Sequence, residues 1–134
     1  MLSQCLRILC LDNHQDTCEL IDLMLRQADG NYQITAVSAP DEAFRLIAGR
    51  KFDLYILDYQ FPGISGVELC RRIRRTDKQT PVLFFTAMAR PADRDAAMAA
   101  GANRYLVKPN DLDRLVPTVR ELLVGSTVPE TAAA

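Results

Sequence analysis

The 134-residue chain contains no tryptophan, only one histidine, and no long apolar run. A helix that crosses a bilayer needs about 18 to 20 consecutive apolar residues, so we predict no membrane-spanning segment. The formal charge is −1, and this lack of a basic excess argues against direct nucleic-acid binding by this domain. The N-terminus also lacks the charged-then-apolar layout of a secretory signal.

Cysteine is scarce, and none of the four cysteines (Cys5, Cys10, Cys18 and Cys70) forms a C-x-x-C pair. Cys10 and Cys18 stand among apolar residues, which favours free thiols used as small buried side chains over metal or disulfide sites. Free thiols suit a reducing compartment, so we expect a cytoplasmic protein.

The length suits one domain with a sizeable core, because 49% of the residues are hydrophobic and 25% are charged. We predict that residues 1–124 form this domain. Residues 125–134 carry no core-building pattern and are interpreted as a flexible C-terminal tail or a truncated linker.

Short segments rich in β-branched and aromatic residues predict five strands, at residues 7–11, 32–37, 52–57, 81–86 and 104–107. Most are apolar throughout, which is typical of parallel strands covered on both faces. The alternating pattern of residues 32–37 favours an edge position.

Helical apolar spacing alternates with these strands, at residues 16–28, from Ser38 onwards, from Ser65 onwards, and at 91–100 and 111–124. Ser38 and Ser65 are candidate caps, and Gly30 is a candidate stop. Pro117 predicts a kink or a late start in the fifth helix. The alternation predicts an α/β fold with a five-stranded parallel sheet and five helices, and right-handed crossovers limit its topology to a few choices. Of these we expect the common doubly wound order 2-1-3-4-5, which is taken from known folds of this class.

Polar side chains follow four of the predicted strands: Asp12 and Asn13, then Asp58, Thr86 and Lys108. Because the carboxyl ends of parallel strands meet at one edge of a sheet, these groups should converge there. Two close carboxylates repel each other unless a cation joins them, and Mg²⁺ is the natural partner for such oxygen ligands. A carboxylate in this setting can act as a nucleophile toward phosphorus, with Lys108 and Thr86 stabilising the charge.

Four stretches carry a family resemblance: residues 8–13, 52–63, 81–87 and 101–109. Together they resemble the response-regulator receiver domains of two-component signalling, over roughly residues 6–124. The resemblance implies a flavodoxin-like receiver fold. It also implies a phosphoprotein that assists its own phosphorylation and dephosphorylation without being a turnover enzyme.

The resemblance implies a role for each site residue. Asp58 would accept a phosphoryl group from a histidine kinase or a histidine phosphotransfer protein. Asp12 and Asp58, with the backbone carbonyl of Gln60, would hold Mg²⁺, and no organic cofactor is expected. Thr86 and Lys108 would bind the phosphoryl oxygens.

The output is also implied by the resemblance. Tyr105 would be the aromatic switch residue, and the fourth helix, fifth strand and fifth helix would form the switching surface. The partner there would be a downstream protein or a missing effector domain, and dimerisation through the same face is an alternative. Family members usually have a cis bond before the proline that matches Pro109.

Asn13 departs from the family, which usually has two adjacent acids at this point. The amide would cap the first helix alone, or would cap it and also contact Mg²⁺. In either case metal binding should be weaker, so the alternative function is a phosphorylation-independent interaction module. A haloacid-type phosphatase is a weaker rival, because it would place a second aspartate where Gln60 stands.

Two further sets of residues are interpreted as having no part in the chemistry of the site. His14 adjoins the acidic loop and is interpreted as a solvent-facing loop residue. The arginines that flank Ile73 are interpreted as a solvated helix face, with a binding surface as the alternative; they are Arg71, Arg72, Arg74 and Arg75.

Overall fold

The computed structural model describes residues 5–28, 31–61 and 63–127. Its strands are β1 (Leu6–Leu11), β2 (Tyr32–Val37), β3 (Leu54–Leu57), β4 (Gln60–Phe61), β5 (Ile64–Ser65), β6 (Val82–Thr86) and β7 (Arg104–Val107). Its α-helices are α1 (Gln15–Ala28), α2 (Pro40–Gly49), α3 (Gly66–Thr76), α4 (Pro91–Ala99) and α5 (Leu115–Thr127). None of these helices is long and apolar enough to cross a membrane.

Five strands form one parallel sheet of order β2-β1-β3-β6-β7. This is the predicted order 2-1-3-4-5 once the two-residue strands β4 and β5 are left out of the count, so the α/β fold is confirmed. The alternating strand β2 lies at an edge, as its pattern predicts. The short strands pair with each other in an antiparallel hairpin that sequence reasoning did not predict.

The sheet separates two apolar cores. Alternate residues of β1 point to opposite faces: Ile8 and Cys10 pack toward α1 and α5, whereas Leu9 and Leu11 pack toward α2, α3 and α4. Cover on both faces explains why the central strands are apolar throughout. The cysteines are free, as predicted, and the sulfurs of the buried pair Cys10 and Cys18 lie 2.8 Å apart.

Of the two predicted helix caps, one is confirmed and the other is wrong. Ser65 caps α3, because its hydroxyl accepts a hydrogen bond from the backbone N–H of Glu68 at 3.1 Å. The prediction for Ser38 is wrong, because α2 begins at Pro40 with Ala39 at the cap position and without a side-chain cap. Proline at the first helical position needs no amide partner there, which fixes this start without a serine.

The late start predicted for the last helix is confirmed. A 3₁₀ turn at Leu112–Arg114 precedes α5, which begins at Leu115 and therefore holds Pro117 in its first turn. The helix runs past its predicted end to Thr127. Residues 128–134 of the predicted tail, and the predicted stop at Gly30, lie outside the described residues.

The arginine prediction for α3 is right for three residues and wrong for one. Arg71, Arg72 and Arg75 are exposed, and the first two pair with Glu68. Arg74 is half-buried and donates to the carbonyl oxygens of the neighbouring loops instead. Its role is therefore structural.

Candidate functional site

Asp12 and Asp58 lie side by side at the carboxyl edge of the sheet. The backbone N–H of Asp12 donates to the carbonyl of Val37, and that of Asp58 donates to the carbonyl of Leu11. Each residue thus continues the hydrogen bonding of its strand by one step, which fixes its side chain at the rim. Both acids are buried, with exposed fractions of 3% and 5%.

Lys108 connects the two acids. Its ammonium lies 2.8 Å from Asp12 Oδ2 and 3.5 Å from Asp58 Oδ2, and its side chain is 19% exposed. Its backbone N–H donates to the carbonyl of Thr86, and the bond from Lys108 to Pro109 is cis, as the resemblance implied. The predicted convergence of these side chains is therefore present in the fold.

The protonation of Lys108 follows from these neighbours. Burial on its own would lower the pKa of Lys108, but the hydrogen bond to Asp12 and the charges of Asp12 and Asp58 outweigh it and raise the pKa. The lysine is thus held in its charged form between two acids. The ring of Phe85 lies 5.7 Å beneath the ammonium and favours the same charge state.

The loop after β1 folds back on Asp12. The backbone N–H of His14 donates to Asp12 Oδ1 at 2.7 Å, and the imidazole Nδ1 lies 3.5 Å from the same oxygen. Asn13 is exposed. His14 is exposed as predicted, yet its ring borders the acid pair, which sequence reasoning did not anticipate because nothing in the spacing of one histidine signals it.

The segment after Asp58 is held in place by a glycine. The backbone N–H of Tyr59 donates to Asp58 Oδ1 at 2.6 Å, and Gly66 donates to the carbonyl of Tyr59 at 2.7 Å. A Cβ atom at Gly66 would overlap the backbone oxygen of Asp58. The hairpin of β4 and β5 closes this loop, with Gln60 paired to Ser65. The sequence signal for this contact is the glycine one residue after the Ser65 cap.

Thr86 and Tyr105 are linked through the backbone of a single residue, Met88. Thr86, fully buried at the end of β6, accepts a hydrogen bond on its hydroxyl from the N–H of Met88 at 3.3 Å. The Tyr105 hydroxyl donates to the carbonyl of Met88 at 2.7 Å. Two residues that the sequence places on different strands are therefore linked through Met88.

The ring of Tyr105 packs inward. It stacks on Phe84 with 5.7 Å between ring centroids, and the residue is 5% exposed. Burial, followed by the charge of Asp93, raises the pKa of the Tyr105 phenol. The hydroxyl therefore stays protonated and able to donate to Met88.

The donor chemistry of the pocket suits a divalent cation. Asp12, Asp58 and His14 each offer one ligand atom, and these atoms lie within 4.8 Å of one another. Two buried carboxylates with a single lysine leave net negative charge, which a hard cation would neutralise. These residues therefore fit a divalent metal ion.

Comparison with known proteins agrees with this geometry. Residues 8–120 match the family described as response regulator receiver domain. Response regulator ArlR from Staphylococcus epidermidis is 33% identical over 116 residues, which are 87% of this chain and 52% of that protein. The chain therefore spans about half the length of this relative.

Solved structures show the same fold. A two-component response regulator from Clostridium difficile superposes with a TM-score of 0.83 at 25% identity, covering 92% of this chain and 99% of that one. The response regulator TrrA from Thermotoga maritima, in complex with Mg²⁺ and BeF, gives a TM-score of 0.76 at 31% identity, covering 87% and 98%. With its sheet order and its acidic pocket, the chain belongs to the response regulator receiver domain family.

Proposed function

We propose that this domain accepts a phosphoryl group on Asp58 from a histidine kinase or a histidine phosphotransfer protein. The observation that carries the proposal is the position of Lys108, whose ammonium contacts Asp12 and Asp58 although it is 96 and 50 residues away in sequence. A half-buried cation between two acids is suited to binding the oxygens of a group transferred to one of them. The proposed domain comprises residues 1–124.

The transfer requires little covalent chemistry from the protein beyond the attack by Asp58. A carboxylate oxygen of Asp58 attacks phosphorus, the bond from phosphorus to the donor imidazole breaks, and the imidazole nitrogen keeps the electron pair. The products are an aspartyl phosphate and the free donor histidine. Lys108 is already in place to bind the phosphoryl oxygens, and the Thr86 hydroxyl would turn toward them as the negative charge arrives.

A divalent cation completes this proposal. Asp12, Asp58 and the backbone carbonyl of Gln60 would hold Mg²⁺, with the amide oxygen of Asn13 as a neutral ligand. The bound ion would neutralise charge on the carboxylates and phosphoryl oxygens. The pair of buried acids in the pocket supports this assignment, as does the Mg²⁺ in the related TrrA structure.

The output is proposed to run through Met88. A phosphoryl group on Asp58 would draw the Thr86 hydroxyl away from the Met88 N–H, and Met88 in turn holds the Tyr105 hydroxyl. The surface of α4, β7 and α5 would then shift between two arrangements. That surface would bind a downstream protein, an effector domain or a second copy of the chain.

Phosphorylation by a small donor tests the proposal. Incubation with acetyl phosphate and Mg²⁺ should add the mass of one phosphoryl group, and peptide mapping should place it on Asp58. Asp58→Asn should abolish the gain, whereas Asp41→Asn, at an exposed position of α2, should leave it unchanged.

The same assay separates the other functions. No mass gain at high Mg²⁺, with a folded protein, would favour the phosphorylation-independent interaction module that Asn13 suggests. Continuous hydrolysis of a large excess of acetyl phosphate would favour an enzyme. A single stoichiometric gain that decays after donor removal is the result expected of a phosphoacceptor.

A further inference from the structure

The imidazole of His14 occupies a position that the proposed magnesium site does not use. It borders Asp12 in a loop whose turn is fixed by the hydrogen bond from the His14 N–H to Asp12 Oδ1. The ring itself is 72% exposed, so it can rotate at low cost. Of the residues within reach, it is the one that offers a nitrogen ligand to a metal between the two acids.

The imidazole and the lysine approach Asp12 from different sides. Lys108 contacts the Oδ2 atoms of Asp12 and Asp58, whereas His14 Nδ1 lies 3.5 Å from Asp12 Oδ1. A cation can therefore bind on the His14 side of Asp12 without competing with the ammonium for the same oxygen. The neighbouring residue Asn13 supplies no charge, which makes the nitrogen ligand more important for affinity.

We infer that His14 is a metal ligand, and that the pocket binds divalent cations that accept imidazole, Mn²⁺ and Co²⁺ in particular, more tightly than Mg²⁺. Mg²⁺ prefers oxygen ligands and keeps its waters. Imidazole suits the later divalent metals, whose affinity for a mixed nitrogen and oxygen site rises from Mn²⁺ to Co²⁺ and Ni²⁺. The inference rests on the proposed function, since it concerns the metal of the same pocket.

Direct metal binding provides the first test. Tag-free protein is titrated with MnCl₂ while the electron paramagnetic resonance signal of free Mn²⁺ is followed, and Mg²⁺ affinity is then measured by its displacement of Mn²⁺. His14→Ala should weaken Mn²⁺ binding about tenfold and leave Mg²⁺ affinity nearly unchanged. Because His14 is exposed, this substitution does not threaten the fold.

Asn13→Asp is the matched comparison. It adds an oxygen ligand and a negative charge one residue away, so it should tighten the binding of both metals. His14→Ala alone should change the ratio of the two affinities. An equal loss for both metals in His14→Ala would point to a change in the loop, and would overturn the inference.

A spectroscopic signature provides the second test. The chain contains one histidine, so nitrogen coupling from an imidazole in the pulsed resonance spectrum of bound Mn²⁺ can come from His14 alone. The coupling should be present in the natural sequence and absent in His14→Ala. Bound Mn²⁺ without this coupling would refute the ligand role of His14 and leave phosphorylation of Asp58 intact. No binding of either metal would refute both the ligand role and the proposed magnesium site.

Discussion

Charged side chains gather at both edges of the sheet, and the two groups differ in how the protein satisfies them. At the carboxyl edge, Asp12, Asp58, Thr86 and Lys108 form what we term the carboxyl-edge site. At the amino edge, the amino-edge network joins the loop after α3 to the starts of β3, β6 and β7; its residues are Tyr55, Arg74, Asp77, Thr80 and Asn103.

The charged groups of the amino-edge network find their hydrogen-bond partners within the protein. All five N–H donors of Arg74 are used, on the carbonyls of Gly101, Asp77 and Thr80 and on Asn103 Oδ1. The carboxylate of Asp77 accepts from the Tyr55 hydroxyl and from two backbone N–H groups. Its one arginine and one aspartate balance each other in charge.

The carboxyl-edge site is left unbalanced. Two carboxylates share one ammonium, so the site carries a formal charge of −1 when all three groups are ionised. A bound cation, alone or together with a phosphoryl group, would neutralise this charge. The amino-edge network needs no added ion, because its charges balance. Charged groups whose partners are all internal stabilise the fold at the amino edge, whereas the surplus negative charge at the carboxyl edge can attract an added cation.

The largest expected effect is the loss of stability when Arg74 is replaced, compared with its neighbour Arg75. Arg74→Ala removes five hydrogen bonds and leaves carbonyls without donors, so the free energy of unfolding should fall by about 2–4 kcal/mol. Arg75→Ala, at the next and exposed position of α3, should change it by less than about 0.5 kcal/mol. Urea unfolding followed by circular dichroism measures both.

Arg74→Lys sharpens this test. A single ammonium cannot make five hydrogen bonds to acceptors in two loops at once, so lysine should recover little of the lost stability. Near-complete recovery would show that charge alone matters at the amino edge, and would remove the contrast with the carboxyl edge.

The second prediction makes the same substitution at each edge. Asp77→Asn should lower the free energy of unfolding by about 1.5–3 kcal/mol, because a carboxylate that accepts three hydrogen bonds is replaced by an amide with one acceptor. Asp58→Asn should leave it unchanged or raise it by about 1 kcal/mol, because repulsion from Asp12 is relieved. Equal losses at both positions would show that Asp58 is as well satisfied as Asp77.

The sequence predicted the fold well because each of its signals was local. Apolar runs marked the strands, helical spacing marked the helices, and Pro117 indicated the late start of α5. Sequence also predicted the meeting of Asp12, Asp58 and Lys108, since parallel strands bring their carboxyl ends to one edge whatever the loops between them do.

The features that sequence missed depend on contacts between distant segments. Arg74 is one of four similar arginines on α3, and contacts with other segments distinguish it. One of them is Gly101, where a Cβ atom would lie 2.7 Å from the arginine side chain. The bond from the Tyr105 hydroxyl to Met88, and the ring of His14 beside Asp12, depend on loop conformation. Composition and periodicity carry no information about either.

The third prediction compares two buried hydroxyl groups. Tyr55→Phe at the amino edge should cost about 1.5–2 kcal/mol of unfolding free energy, because its acceptor is the charged carboxylate of Asp77. Tyr105→Phe should cost about 1 kcal/mol, because its acceptor is the neutral carbonyl of Met88. A larger loss for Tyr105→Phe would mean that the loop after β6 contributes more to stability than its contacts indicate.

The smallest expected effect is the acid dependence of the amino-edge network. Burial would raise the pKa of Asp77, but hydrogen bonds from Thr80, Gln79 and Tyr55 outweigh it and lower the pKa below its usual value. The unfolded chain binds this proton at about pH 3.9, and the folded protein binds it only at lower pH, so the contribution of Asp77 is complete above that value. It is lost as the pH falls through the lowered pKa.

Urea unfolding of the natural sequence and of Asp77→Asn, over a series from about pH 6 to about pH 2.5, isolates this one group from the other carboxylates. The gap in unfolding free energy between the two proteins should be constant down to about pH 4 and should narrow below it. A gap that stayed constant to the lowest pH would mean that Asp77 stabilises the fold equally well in its protonated form. The amino-edge network would then owe its stability to shape and hydrogen-bond number, and its balance of charge would no longer distinguish it from the carboxyl-edge site.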